Sequence, residues 1–215
     1  MQDTIGRFRT DLEAELLQLR RELITQTCVP GSCRETIITR PKRRMISAAP
    51  FRDRRKVVMP LFERKMIFDL YSHRAGKGTH AAIRRAQHFC GRFDYVLKCD
   101  ARKFFPSMDH AVLKDTIRQT IACRDTLWLV DKIVDSSNRQ EPVCQLFPGD
   151  DLAEAATRRT GLPIGNLTSQ WFGGVYLTAF DHWVKETLRC PGYVRYVPGI
   201  LPDVAVGVPP PGLGF

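Results

Sequence analysis

The 215-residue sequence lacks a hydrophobic run long enough to cross a bilayer, and it lacks any C-x-x-C pair. Its longest strongly apolar stretch, residues 171–180, is about half of the roughly 20 residues that a membrane helix needs. The seven cysteines are odd in number and scattered, which argues against a disulfide framework and against a structural zinc site. The first residues carry no apolar signal segment. We therefore expect a cytoplasmic protein with reduced thiols and no membrane contact.

Positive charge is concentrated in one segment of the chain. The whole chain carries 33 Lys and Arg against 23 Asp and Glu, and residues 40–65 hold ten and two of them. This segment supplies +8 of the net charge of +10. A one-sided basic region is typical of a protein with a phosphate-rich partner, because each neutralised phosphate releases counterions. A solvated charged surface without a ligand is the alternative.

The last 18 residues differ in composition from the rest of the chain. Residues 198–215 contain nine Gly or Pro and no Lys or Arg. Proline cannot donate a hydrogen bond to a sheet, so we expect no strand in this segment. We interpret it as an aberrant Gly/Pro-rich tail on a chain that otherwise has the composition of a folded core.

Hydrophobic spacing predicts a mixture of helices and short strands. Leucines at helical spacing predict a helix over residues 8–26, and two short strands are expected over 35–40 and 44–48. The other predicted elements are an interrupted helix over 57–68, a helix over 79–90 capped by Thr79, a buried strand over 94–100, a helix capped by Asp109, a helix over 124–135, a polar loop over 136–163, a helical stretch over 166–188, and a strand that begins at Tyr193.

Two segments carry residues suited to nucleotide chemistry. The strand over 94–100 ends in Asp100, a carboxylate that can hold a hard cation. Residues 161–170, with the sequence GLPIGNLTSQ, form a glycine-bearing turn that opens a helix, where backbone can approach a nucleotide closely. An isolated Asp at a strand end more often caps a turn, so the order of the surrounding motifs decides the interpretation.

In their order, these motifs resemble those of a reverse transcriptase, most closely the bacterial diversity-generating-retroelement or group II-like type. The matching stretches are RPKRRMISAAPFRDR in the fingers, HRAGKGTHAAI before the palm, YVLKCDARKFFPSMDH and GLPIGNLTSQWFGGVYLTAFDHWVKE as the first and second palm motifs, and CPGYVRYV as the approach to the third. The resemblance covers about residues 12–197. It implies an α+β fold, the fingers and palm of a right-hand polymerase with a ferredoxin-like palm sheet and helices, and a missing thumb.

The resemblance also divides the chain and implies a reaction. Residues 1–93 would be an N-terminal helix and basic fingers region, residues 94–197 an incomplete palm, and residues 198–215 the aberrant tail. The reaction would be RNA-directed DNA synthesis, in which two Mg²⁺ ions bridge a primer hydroxyl and a dNTP. An RNA template, a DNA primer and an accessory protein of the retroelement would be the partners.

Individual roles follow from the same resemblance. Asp100 would be the catalytic metal carboxylate, and the backbone carbonyl of Ala101 would help to hold the second ion. Phe105 would exclude a ribose 2′-hydroxyl, with a core phenylalanine as the alternative. The other nucleotide-binding residues would be Lys42, Arg43 and Arg44, of which the one that reaches the triphosphate is open, together with Gly165 and Gln170. The residues expected to contact nucleic acid are Arg52, Arg54, Arg55, Lys56, Arg74 and Lys77.

The sequence departs from the family where the third palm motif should be. That motif should read Tyr-x-Asp-Asp, but Tyr-Val at 196–197 is followed by Pro-Gly at 198–199. Two divalent ions would then face one carboxylate, which leaves their charge uncompensated. Asp203 lies in a Pro-broken segment and Asp150–Asp151 in a polar loop, so we do not expect either to substitute.

These observations lead to three expectations about the chain as a whole. The first is a reverse transcriptase whose reading frame is lost just after Val197 and which is therefore inactive. The second, from a different class, is a nonenzymatic remnant that binds RNA through residues 40–65. The third is a palm that does not fold alone, because a sheet without its last strand pair has an open edge.

Overall fold

The computed structural model of this protein describes residues 12–29, 34–38, 44–48, 62–72, 74, 76–137, 143, 149–164, 167–196 and 204–208. It mixes many helices with a few short strands and is of the α+β class. The elements in chain order are α1 (Leu12–Ile24), β1 (Arg34–Ile38), β2 (Arg44–Ala48), α2 (Thr79–Cys90), β3 (Tyr95–Cys99), α3 (Phe104–Ser107), α4 (His110–Arg118), α5 (Arg124–Asp135), α6 (Leu152–Thr157), α7 (Leu167–Tyr176), α8 (Thr178–His182), a π-helical turn (Trp183–Thr187), β4 (Val194–Arg195) and β5 (Val204–Val208). Within these ranges, no helix is both long and apolar enough to span a membrane.

The chain divides into two compact units. The first comprises residues 1–57 and 105–169, and the second comprises residues 58–104 and 170–215. These two units are defined by how the chain packs, whereas the predicted domains are defined by function. The predicted domain boundaries after residues 93 and 197 therefore stay a prediction.

The first unit contains a hairpin and a helical core. β1 and β2 pair antiparallel, with Thr36 opposite Ile46. α4 and α5 pack through their apolar stripes, because apolar side chains three or four positions apart lie on one helix face. The end of α1 is joined to α5 by a hydrogen bond from the Gln26 side chain to Asp125 at 3.0 Å. The buried apolar side chains of this unit are Phe105, Met108, Leu113, Ile117, Ile121, Val130, Val134 and Leu162.

The second unit contains a three-stranded sheet and an aromatic core. The strand order is β3-β5-β4, and β5 is antiparallel to both neighbours. The ring of Trp171 on α7 meets the ring of Phe62 edge-on, with centroids 4.9 Å apart. The largest buried side chains of this unit include Leu70, Tyr193 and Val175.

Most predicted elements are confirmed within the described residues. α1, the β1–β2 hairpin, α2, α5 and the helical stretch from Leu167 onward lie where hydrophobic spacing predicts them. The helical stretch is broken at Leu177 and ends in the π-helical turn. The predicted polar loop over 136–163 contains the short helix α6. The described residues of the predicted 57–68 helix form one helical turn at Phe62–Glu63 followed by irregular turns.

Two predictions about strands are wrong. β3 exists, but all five of its residues are exposed rather than buried. Among the described residues it pairs only with β5. Its apolar run is typical of a strand covered on both faces, but here the side chains on both faces are exposed. The tail was expected to contain no strand, yet β5 lies at Val204–Val208. This VAVGV segment is free of proline and rich in β-branched residues, so the prolines on either side of it do not prevent pairing.

Candidate active site

The candidate catalytic residue Asp100 lies at one edge of the three-stranded sheet. The last residues of β3 and β4, Cys99 and Arg195, are both opposite Val204 of the central strand. The residues that follow them, Asp100 and Tyr196, therefore leave the sheet at the same edge. Neighbouring strands are about 4.8 Å apart, so β3 and β4 are separated by roughly 10 Å across the central strand.

The donors at this edge do not fit the two Mg²⁺ ions that the resemblance implies. Asp100 and Ala101 are exposed in the segment after β3. Tyr196 is followed in the sequence by Val197 and Pro198, whose side chains cannot ligate a hard cation. Across the described part of the chain, no three His, Cys, Asp or Glu side chains are grouped so that they could hold a metal ion. With Asp100 as its one carboxylate among the described residues, this edge does not present the donor set of the two-ion site that the resemblance implies.

β4 is anchored by a buried ion pair. The side chains of Asp181 and Arg195 are 0% and 2% exposed. Their contact is bidentate, because Nε and Nη2 of Arg195 donate to the two carboxylate oxygens at 2.6 and 2.5 Å. Nη2 also donates to the carbonyl of Gly174 at 3.0 Å. The hydroxyl of Tyr193 donates to Asp181 at 2.6 Å. Burial, and then the neighbouring carboxylate, raises the pKa of Tyr193, so the phenol stays a donor.

A second buried carboxylate, Asp69, belongs to the segment that lies alongside β4. Arg85 Nε and Lys185 Nζ donate to its two oxygens at 2.8 and 2.9 Å. Burial alone would raise the pKa of Asp69, but these two hydrogen bonds and the two positive charges lower it. The backbone of Arg195 donates to the Asp69 carbonyl at 3.0 Å and accepts from the amide of Tyr71 at 3.0 Å. The segment that contains Asp69 therefore lines up alongside β4.

Tyr196 is held by the start of α2. Its hydroxyl lies 2.9 Å from Oγ1 of Thr79. The prediction that Thr79 caps α2 is wrong by one position, because Gly78 is the N-cap and has a φ of 129°. A side chain is strained at such a φ, whereas glycine adopts it readily. Thr79 is thus the first helical residue, and its hydroxyl is used to fix Tyr196.

Arg74 and Gln170, two residues predicted from the resemblance, lie together in the second unit. They line a small cavity with Glu63 and Trp171, and it has room for about one water molecule. Arg74 Nη1 donates to the Ile67 carbonyl at 2.7 Å, so its guanidinium stabilises the backbone of this segment. Nucleic-acid contact by Arg74 and nucleotide contact by Gln170 stay predictions.

Phe105 belongs to the core of the first unit. Its side chain is buried at 5% exposure, and its carbonyl accepts from the amide of Leu162 at 2.9 Å. The amide of Gly161 donates to the Met108 carbonyl at 2.8 Å, and Gly161 has a φ of 100° that favours glycine. The glycine-bearing turn is therefore fastened to the segment after Asp100. In this arrangement Phe105 is a core side chain. Its role in excluding a ribose 2′-hydroxyl stays a prediction.

Asp109 starts α4 and joins it to the loop that precedes the glycine-bearing turn. Its carboxylate accepts from the amides of Ala111 and Val112 at 2.7 and 3.1 Å, so the predicted N-cap is confirmed. Arg158 Nε lies 3.2 Å from the second oxygen of Asp109. The two Nη atoms of Arg158 donate to Asp150 at 2.9 and 2.5 Å. This contact supports the interpretation of Asp150 as loop structure.

Several predicted site residues lie outside the described residues. Only the backbone of Arg44 is described, on β2, where it is opposite Ile38. The predicted site residues outside the described ranges are Lys42, Arg43, Arg52, Arg54, Arg55, Lys56 and Gly165, as well as the alternative carboxylate Asp203. Their roles stay predictions.

No family model matches this chain, and no curated protein matches it significantly. The functional interpretation therefore depends on the residues and on their geometry. The sequence reasoning missed the buried pair of Asp181 and Arg195, although both residues lie in stretches that carry the resemblance. A signal for this pair was available in the sequence, because Asp181 and Arg195 each have mainly apolar neighbours. Charged side chains that are buried are usually paired, so the two residues could have been predicted to meet.

Proposed function

We propose that this chain is the fingers and palm of a reverse transcriptase lineage, with a polymerase site that is incomplete. The ancestral reaction is RNA-directed DNA synthesis with Mg²⁺, and this chain lacks the carboxylates for it. A cytoplasmic location and reduced thiols, expected from the sequence, belong to the same proposal.

The placement of Asp100 and Tyr196 at the same end of one sheet is the observation that carries the proposal. The central strand β5 between them lies in residues 198–215, which the resemblance does not cover. Asp100 and Tyr196 follow two strands that end opposite the same residue, Val204. A templated polymerase of this kind needs its carboxylates at the same end of one sheet, so that two ions can be held among them. The resemblance puts one carboxylate at Asp100 and two just after Tyr196. The sequence instead has Val197 and Pro198 at that point.

The ion pair of Asp181 and Arg195 gives further support. Asp181 lies in the stretch that resembles the second palm motif, and Arg195 lies in the approach to the third. Their buried contact joins these two stretches at β4, one residue before Tyr196. This contact fixes β4 in place directly before Tyr196.

Restoring the missing carboxylates tests the proposal. A variant with Pro198→Asp and Gly199→Asp recreates the Tyr-x-Asp-Asp order, and the paired change Pro211→Asp and Gly212→Asp is a matched control with the same charge. We expect the unchanged chain to show no template-dependent incorporation in a primer-extension assay. We expect Mg²⁺ to raise the Tm of the restored variant, and Asp100→Asn to abolish that rise.

Two results would contradict the proposal. One is incorporation by the unchanged chain that Asp100→Asn abolishes, because it would show that the site is complete. The other is a restored variant whose response to Mg²⁺ equals that of the matched control. In that case Asp100 and residues 198–199 do not form one ion site.

A nonenzymatic RNA-binding protein is the second candidate, and the charge distribution favours it. Residues 40–65 carry +8 of the net +10 charge. Binding through phosphate contacts would weaken steeply with salt, with a slope of about −0.7 per neutralised phosphate on a single strand. Titration of the chain with RNA at several salt concentrations measures this slope, and a flat dependence would remove this candidate.

A further inference from the structure

Cations lie against a group of aromatic rings in the second unit, of which Phe68 is exposed and Tyr71 and Phe89 are buried. Nζ of Lys77 lies 3.5 Å above the ring centroid of Phe68 and 4.5 Å from that of Tyr71. Arg85 lies 4.4 Å from the ring centroid of Phe89 and 6.0 Å from that of Phe68. We call the set of Phe68, Tyr71, Lys77 and Arg85 the cation-aromatic surface.

Phe68 is the member of this surface with an open ring. Its side chain is 69% exposed although the residues on either side of it, Ile67 and Asp69, are buried. Lys77 covers one face of the ring and also donates to the Phe68 carbonyl at 3.0 Å. The ring is therefore held by Lys77 and is still largely exposed. A fixed, open aromatic face is what a nucleic-acid base needs for stacking.

The charge around this ring is positive in excess. Arg85 and Lys185 both pair with the buried carboxylate of Asp69, which is 4% exposed, and Lys77 adds a further positive charge beside Phe68. Burial and the charge of Arg74 lower the pKa of Lys77, as expected where cations outnumber anions. This excess of positive charge favours binding of a polyanion over binding of a neutral apolar partner.

α2 extends the positive surface beyond the ring. The helix contains Arg84 and Arg85 and no acidic residue. His80, Arg84 and His88 recur every four residues and are all exposed, so they form one line along the helix. Within this line Arg84 offers phosphate an exposed cation, on the same helix as Arg85, which lies beside Phe68.

From these contacts we propose that the cation-aromatic surface binds single-stranded nucleic acid, with one base stacked on Phe68 and phosphates beside Lys77 and the exposed line of α2. The choice of nucleic acid over another polyanion rests on the proposed function. Residues 40–65 can add phosphate contacts of their own, so the base stacked on Phe68 is the contact that distinguishes this surface.

The test is fluorescence anisotropy with the full chain and a labelled oligouridine of about twelve nucleotides, compared with an abasic strand of the same length. Phe68→Ala should weaken binding of oligouridine by roughly 5-fold to 150-fold, because stacking of one base is worth about 1–3 kcal/mol. The same variant should bind the abasic strand as the unchanged chain does. Phe68→Trp should retain binding of oligouridine.

Two further variants separate stacking from charge. Arg84→Gln should weaken binding of both strands and reduce the salt slope by about 0.7. Phe180→Ala removes another partly exposed aromatic ring of the same unit, one that packs against Trp183, and should leave both affinities unchanged. All variants should keep the Tm of the unchanged chain within a few degrees, since the altered side chains are exposed.

The inference is overturned if Phe68→Ala binds oligouridine as tightly as the unchanged chain. It is also overturned if polyglutamate displaces oligouridine as well as unlabelled oligouridine does, because the surface would then recognise charge alone. These readouts do not involve catalysis. A failure of the proposed polymerase lineage in the Mg²⁺ experiment is therefore distinguishable from a failure of this surface.

Discussion

The buried pair of Asp181 and Arg195 makes a strong prediction about stability. Asp181→Asn keeps the shape of the side chain but removes its charge, which leaves the Arg195 guanidinium buried without a counter-ion. Arg195 is 1% exposed, so water cannot replace the lost carboxylate. Breaking a buried pair from one side costs about 3–5 kcal/mol. Since a domain is stable by roughly 5–15 kcal/mol, this is a large share of the total.

The assay is thermal and urea unfolding followed by circular dichroism and by tryptophan fluorescence. A loss of this size should lower the Tm by roughly 6–20 °C for a chain of this length. Asp131→Asn is the matched control, because Asp131 pairs with Arg118 at 2.8 Å with both side chains partly exposed. Exposed pairs contribute about 0–1 kcal/mol, so the control should change the Tm little.

A paired substitution separates loss of the charge from loss of packing. Asp181→Leu combined with Arg195→Met removes both charges and should recover at least half of the lost stability, because apolar replacements of buried pairs are often close to neutral. The reasoning is refuted if Asp181→Asn costs less than about 1 kcal/mol. It is also refuted if the double variant is less stable than Asp181→Asn.

Three other predictions concern pH and the cap of α4. His110 is buried, and burial is the main cause of its lowered pKa. The stability that neutral His110 contributes is therefore present above its ordinary pKa of about 6.5 and is lost as the pH falls below that value. His110→Gln should remove this part of the pH profile of unfolding. Hydrogen bonds to the Lys65 carbonyl and then to Glu186 raise the pKa of His182. Its contribution to the free energy of unfolding is therefore present below about pH 6.5 and is lost as the pH rises through the pKa in the folded state. His182→Gln should flatten that side of the pH profile of unfolding, and an unchanged profile would contradict the assignment. Asp109→Ala should cost about 0.5–2 kcal/mol through loss of the α4 cap, measured by urea unfolding, and a change below the error of the fit would contradict the capping role.

The sequence predicted the local elements better than their surroundings. Asp109 was recognised as a cap because its side chain acts on amides two and three residues away. The exposure of β3 could not be read from the apolar run at residues 95–97, because the same pattern fits a strand buried between two layers. β5 was missed because its neighbouring prolines dominated the composition of the tail, although its own five residues favour a strand.

Parts of the candidate site were also beyond sequence reasoning. The position of Asp100 at a strand end follows from local pattern, but its register with Tyr196 depends on a third strand far along the chain. The resemblance predicts that Arg74 and Lys77 contact nucleic acid. Their contacts with backbone carbonyls and aromatic rings depend on the fold of residues 62–72, where spacing predicts an interrupted helix and the structure has mostly irregular turns.

The central claim is that the carboxylates of a polymerase site were lost when the reading frame changed just after Val197. The most direct measurement is to sequence the encoding DNA through codon 197 and several hundred bases beyond, and to translate it in all three frames. The account predicts that another frame continues from Tyr196 and Val197 with two aspartates, followed by the rest of a palm and a thumb. Translations that lack the two aspartates in every frame would contradict it.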